Sequence, residues 1–73
     1  MKTMAVESTT LAKVAYHPDR QLLQIEFRDR AVYQYFEVPA EVHQALLRAS
    51  SKGRYFNLSI RGRYTCARIG SLS

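Results

Sequence analysis

The amino-acid sequence predicts an α+β domain: a three-stranded antiparallel β-meander followed by two short α-helices, in the order βββαα. Three observations carry this. Residues 11–38 hold three runs of strand length rich in Val, Ile, Tyr and Phe, broken by turn-forming segments. Val42, Ala45, Leu46 and Ala49 then recur at helical spacing. Ser51 follows as a favourable helix N-cap, ahead of a stretch in which Phe56 and Ile60 lie one turn apart.

A chain of 73 residues makes one small domain, and at this size only about 60% of the unfolded surface is buried on folding. Residues 1–9 (MKTMAVEST) are small and polar without a period, which predicts a flexible leader. The domain is expected over 10–69, and 70–73 as a frayed tail. The first strand is expected over 11–16, the second over 22–28 and the third over 32–38. His17-Pro18-Asp19-Arg20 supplies the first turn, since proline presets φ for its first central residue. Asp29-Arg30 makes the second. A two-residue turn there prefers glycine second, and arginine should cost about 1 kcal/mol.

These loop lengths set a register. Val14 falls opposite Leu23, Ala12 opposite Ile25, Phe27 opposite Val32 and Leu23 opposite Phe36. One face then carries Ala12, Val14, Leu23, Ile25, Phe27, Val32 and Phe36, and the other Lys13, Gln24, Glu26, Arg28, Tyr33, Tyr35 and Glu37. The expected core is Val14, Leu23, Ile25, Phe27, Val32 and Phe36 with Leu46 and Phe56 from the helices. Tyr33 and Tyr35 on the polar face are either an open aromatic platform or a surface covered by the C-terminal segment.

Pro39 suits a first helical position and Glu41 the first turn, so the first helix is expected over 39–49. The second is expected over 52–60, with Arg54, Asn57 and Arg61 on its outer side and Gly62 as its stop. Beyond it runs an extended Arg-Tyr-Thr-Cys-Ala-Arg-Ile stretch.

Charge is distributed unevenly. From Val42 onward there is no acidic residue, yet Arg48, Lys52, Arg54, Arg61, Arg63 and Arg68 give +6, against −1 for the preceding residues. Tyr55, Phe56 and Tyr64 are interleaved. Unopposed cations with aromatics suit phosphate attraction and base stacking, although surface arginines are also commonly just a solvated face. Ser51-Lys52-Gly53 places free N–H groups, a hydroxyl and an ammonium at a helix start, which suits either an anion or an ordinary helix-to-helix turn.

His17, His43 and Cys66 are the conventional base and nucleophile candidates, and none has a carboxylate near it in sequence. No catalytic residue, metal site or cofactor is therefore predicted. The single cysteine excludes an intramolecular disulfide, and no apolar run approaches a membrane span. A reducing cytoplasmic setting is expected, with no membrane partner, for a monomer or weak homo-oligomer.

Tyr33-Gln-Tyr35-Phe36, Val38-Pro39, Ser51-Lys-Gly53-Arg-Tyr-Phe56-Asn57 and Ile60-Arg-Gly-Arg-Tyr64 together resemble the KTSC domain. That family takes its name from the C-terminus of certain lysyl-tRNA synthetases and also occurs as stand-alone small bacterial proteins. The resemblance covers about residues 10–69. It implies RNA binding by association with the synthetases, carried by Tyr33 and Tyr35. Arg30, where glycine is usual, and Thr65, where proline is frequent, depart from the pattern.

The function expected is a small non-catalytic module binding RNA or another nucleic acid. Lys52, Arg54, Arg61 and Arg63 would hold phosphates, Tyr33 and Tyr35 would stack bases, and Gly53 and Asn57 would belong to the same nucleic-acid-binding surface. The alternative is a protein-docking accessory domain presenting the same surface to an acidic partner or a second copy.

Overall fold

The computed structural model describes residues 2–5 and 11–71. In chain order the elements are β1 (Lys2–Ala5), β2 (Leu11–His17), a 3-10 turn (Pro18–Arg20), β3 (Leu22–Phe27), β4 (Ala31–Tyr35), α1 (Ala40–Arg48), α2 (Lys52–Ser59) and β5 (Cys66–Ser71). The strands form one antiparallel sheet in the order β1-β2-β3-β4-β5. The α+β class and both helices match expectation, but βββαα is incomplete. A further strand follows the helices, because the stretch expected as an extended tail returns to pair with β4, placing Cys66 opposite Tyr35 and Arg68 opposite Tyr33. Within the expected leader, Lys2–Ala5 pair with β2; the rest of that leader, and residues 72–73 of the tail, lie outside the described residues.

The two hairpins depart from the expected register in different ways. Between β2 and β3 the loop keeps its expected four residues but is displaced by one, running from Pro18 to Gln21, which sits in the left-handed region (φ 49°). Its N–H donates to the Pro18 carbonyl (3.3 Å). Val14 therefore faces Ile25 and Tyr16 faces Leu23. That is a slip of two residues, and a slip of two leaves each side chain on its own face. A bulge between Leu11 and Lys13 turns Leu11, rather than Ala12, into the core.

Between β3 and β4 the connection has three residues, Arg28 to Arg30, instead of two. The Arg30 N–H donates to the Phe27 carbonyl (3.0 Å), and Asp29 Oδ1 accepts from the Ala31 N–H (3.0 Å). Arg30 sits at φ 76°, the left-handed position at which three-residue hairpins favour glycine. Ile25 consequently faces Tyr33, and Leu23 faces Tyr35. This slip of one exchanges the faces of β4. Tyr33 and Tyr35 turn toward the core, and Val32 turns to the opposite face, where it is buried beside Glu26.

β4 also ends earlier than expected. Phe36 donates its N–H to the Thr65 carbonyl (2.9 Å) and lies outside the core, 37% exposed, correcting its expected place inside. Glu37 takes φ 58°, and this turn returns Val38 to full burial. The Val38 N–H donates to the Gln21 carbonyl (2.8 Å). Its own carbonyl accepts from the buried Tyr16 hydroxyl (2.6 Å).

Pro39 is the N-cap of α1 rather than its first helical residue. Ser51 caps α2, its hydroxyl accepting from the Arg54 N–H (3.4 Å). Ile60 is the C-cap of α2 and fully buried, and Gly62 follows at φ 77°, a conformation glycine adopts without a side-chain clash. The core under both helices consists of Leu11, Val14, Tyr16, Leu23, Ile25, Tyr35, Val38, Leu46, Phe56 and Ile60. His43, expected on the exposed side of its helix, is half-buried and stacks on Tyr16 with centroids 4.6 Å apart. Burial lowers its pKa, while burial and then the nearby Glu41 charge raise that of Tyr16. On the sheet face opposite the helices, Gln34 Nε2 donates to Gln24 Oε1 (3.2 Å).

Candidate nucleic-acid interface

The slip in the second hairpin places two tyrosines in the lining of a cleft. With Tyr33 and Tyr35 on the helix-covered face, they meet Phe27 and Phe56 in an aromatic cluster. Tyr35 packs edge-on against Phe56 at 5.5 Å, Phe27 does the same against Phe56 at 5.3 Å, and Tyr33 packs edge-on against Phe27 at 5.7 Å. Tyr33 and Tyr35 lie nearly parallel, with centroids 6.4 Å apart. Edge-to-face geometry of this kind places positive ring edges on negative ring faces and fixes the side chains beyond their area burial.

Above this cluster, between α2 and the β4–β5 pair, is a cleft of about 440 Å³. The four aromatic rings line it together with Asn57, Arg61 and Gly62 after and within α2, Cys66 and Arg68 from β5, and Asp29 and Ala31 from the second hairpin. Tyr35 is 5% exposed, so it is a wall of the site and not an open platform. Burial, then the adjacent Cys66 and Tyr33, push its phenol up to about 12, partly offset by Arg61. It is therefore a neutral donor throughout the ordinary pH range. Tyr33 is only half-buried and presents the accessible part of the ring floor.

Of the residues expected at the site, the structure brings Tyr33, Tyr35, Asn57 and Arg61 together. The others lie elsewhere. Lys52 donates its ammonium to the Ala49 carbonyl (3.1 Å), closing the turn between the helices. Gly53 is half-buried in the first turn of α2, and the Ser51 hydroxyl beside it is occupied by its capping bond. Arg54 is exposed and lines a separate shallow depression with Tyr55 and Leu58. Arg63 donates from Nε to the Leu58 carbonyl (3.0 Å), satisfying an acceptor at the end of α2. The expected anion-binding turn is thus largely engaged with its own backbone.

Arg68 and Cys66 were missed as cleft residues. Only the closing strand brings them there, and its sequence carries no apolar alternation to announce a strand. Neither the Arg61 nor the Arg68 side chain makes a hydrogen bond or ion pair with another described residue. His17 Nδ1 is buried without a hydrogen-bond partner among the described residues. Among those residues no group of three or more His, Cys, Asp or Glu side chains is placed to hold a metal ion, and no helix is long and apolar enough to cross a membrane.

Comparison with known proteins places this geometry in context. A model of the KTSC domain matches residues 7–64. An uncharacterized protein of Stutzerimonas stutzeri is 49% identical over 57 residues, covering 78% of this chain and 80% of the relative. A lysine–tRNA ligase of Nostoc punctiforme is 40% identical over 58 residues, which are 80% of this chain but 10% of the ligase. A crystal structure of a KTSC domain protein from Yersinia pestis superposes with a TM-score of 0.91 at 39% identity, covering 94% of this chain and 97% of the other.

Proposed function

The chain belongs to the KTSC domain family, and from that premise we propose that it is a small, non-catalytic, cytoplasmic module that binds single-stranded RNA. The observation that carries this reading is that Arg61, just after α2, and Arg68, from β5, both line one aromatic-floored cleft. Two guanidiniums against a single carboxylate leave the cleft with net positive charge, and a phosphate between them would offset it while gaining bidentate hydrogen bonds. The excess of positive charge from Val42 onward extends the same attraction along the surface. Occurrence of the domain within lysine–tRNA ligases, enzymes that handle RNA, supports the choice of ligand.

In this reading Arg61 and Arg68 are the phosphate anchors, Arg54 extends the basic track, and Tyr33 is the stacking surface. Tyr35 supports Tyr33 from behind. Fluorescence anisotropy with a labelled single-stranded RNA should give a micromolar complex at low salt that weakens steeply as salt is raised. Replacing both Arg61 and Arg68 with Ala removes two phosphate contacts. It should flatten the slope of log affinity against log salt by about 1.4, at about 0.7 per contact for single strands. Absence of any complex at low salt would overturn the proposal.

One observation favours a second reading, a protein-docking domain. Leu58 is 61% exposed beside Tyr55, next to a shallow groove of about 670 Å³ between α1 and α2 lined by Ala45, Ala49 and Arg48. Changing Leu58 to Ser leaves phosphate attraction untouched, so an effect on partner binding without an effect on RNA would favour docking.

A further inference from the structure

The cleft contains one residue that phosphate binding does not explain. Asp29 is the single carboxylate among its lining residues, on a face otherwise lined by Arg61 and Arg68. A carboxylate beside a phosphate site weakens it by like-charge repulsion, so its presence calls for a different contact. Structure accounts for half of it: Oδ1 accepts from the Ala31 N–H (3.0 Å) and holds the three-residue turn. Oδ2 takes no part in that turn bond. Asn57, on the opposite wall, adds an amide that can both donate and accept.

Resting on the RNA reading above, we infer that the cleft receives one unpaired base carrying an exocyclic amine, with Asp29 as the residue that selects it. The volume of about 440 Å³ is that of a small-ligand site. The ring stacks on the accessible face of Tyr33 and the edge of Phe27. Its sugar-linked phosphate lies toward Arg61 and Arg68. The amine donates to Asp29 Oδ2, and Asn57 meets the remaining base edge. Cytosine offers such an amine where uracil offers a carbonyl oxygen, which would face the carboxylate with two acceptors opposed and no proton between them. The discrimination is between bases, and so independent of the phosphate attraction that brings any single strand to the surface.

The test is an amide NMR titration of the full chain with cytidine monophosphate and, separately, uridine monophosphate. Cytidine monophosphate should shift the resonances of Asp29, Asn57, Arg61 and Arg68 and bind about tenfold more tightly than uridine monophosphate, the low end of what one base-edge contact discriminates. Asp29→Asn keeps the oxygen that accepts from Ala31 while removing the charge, and should bring the two ligands to within about twofold of each other. A cytidine monophosphate whose exocyclic amine is dimethylated should bind the unaltered protein as weakly as uridine monophosphate, so the inference stays testable if the variant fails to fold. Equal affinity of the unaltered protein for cytidine and uridine monophosphates would overturn it. So would salt-dependent RNA binding with neither mononucleotide perturbing the cleft, an outcome that leaves the RNA reading standing. Loss of both would remove both.

Discussion

The two hairpins of the sheet are built from similar material and went to different ends. In the β2–β3 hairpin the four-residue connection shifts by one residue along the chain, and the partners slide by two positions. In the β3–β4 hairpin a three-residue loop replaces a two-residue one, and they slide by one. Because a strand alternates its side chains, the first change preserves every face and the second reverses one strand entirely. Val14, Leu23 and Ile25 are buried in either register. Tyr33 and Tyr35 exchange a solvent-facing platform for the wall and floor of a cleft. The position of the aromatic residues therefore rests on a single residue of loop length, and the residue added to the expected turn is Arg28.

The comparison breaks most visibly at Tyr35. Truncating it to Ala removes a ring that is 5% exposed and packed against Phe56. Thermal or denaturant unfolding should register a loss of about 3–5 kcal/mol, the usual cost of a buried aromatic cavity. Phe36→Ala, one residue along, should cost well under half as much. Near-equal losses, or a larger one at Phe36, would mean that the face of β4 has been assigned wrongly.

A smaller effect tests the first hairpin. Tyr16→Phe deletes the hydroxyl that donates to the Val38 carbonyl and leaves that acceptor unpaired in a buried setting. The expected cost is about 1–3 kcal/mol, seen as a lower denaturation midpoint with an unchanged slope. An unchanged midpoint would show that the hydroxyl contributes nothing net.

The smallest effect has the opposite sign. Arg30→Gly relieves a left-handed conformation at φ 76° and should stabilise the domain by about 1 kcal/mol, less the entropy glycine adds to the unfolded chain. A destabilisation there would indicate that the Arg30 side chain contributes more than its backbone strain costs.

Much of the fold was legible. The three central strands, both helices, the Ser51 cap and the Gly62 stop all follow from local chemistry that is independent of pairing. Loop placement in the first hairpin and loop length in the second were less legible, because His17 to Gln21 and Arg28 to Arg30 contain no glycine to mark the left-handed residue, and Gln21 and Arg30 occupy it instead. The closing strand was hidden for another reason. Arg63-Tyr-Thr-Cys-Ala-Arg-Ile has few apolar residues, since half of an edge strand's surface faces solvent or a cleft. Of the expected site, Arg61, Asn57, Tyr33 and Tyr35 converge, the tyrosines as the covered alternative rather than the open platform and on the opposite face from the one expected. Lys52 and Arg63 resemble ligands in sequence but cap helix carbonyls instead, a role that composition does not distinguish.

The pairing of β5 with β4 spans the whole helical segment, whereas β2, β3 and β4 join their neighbours through short turns. Closing that long loop demands more chain entropy, so the meander has the kinetic advantage and β5 docks after it. Arg68 and Cys66 reach the cleft only with that last event. As an outer strand held to one described neighbour, β5 is also the segment whose opening should require the least of the fold to unravel. Amide hydrogen exchange along residues 66–69 thus reports on assembly of the site as much as on stability of the protein. A ligand bridging Arg61 to Arg68 would slow that exchange by tethering the late-arriving strand to the helix already in place.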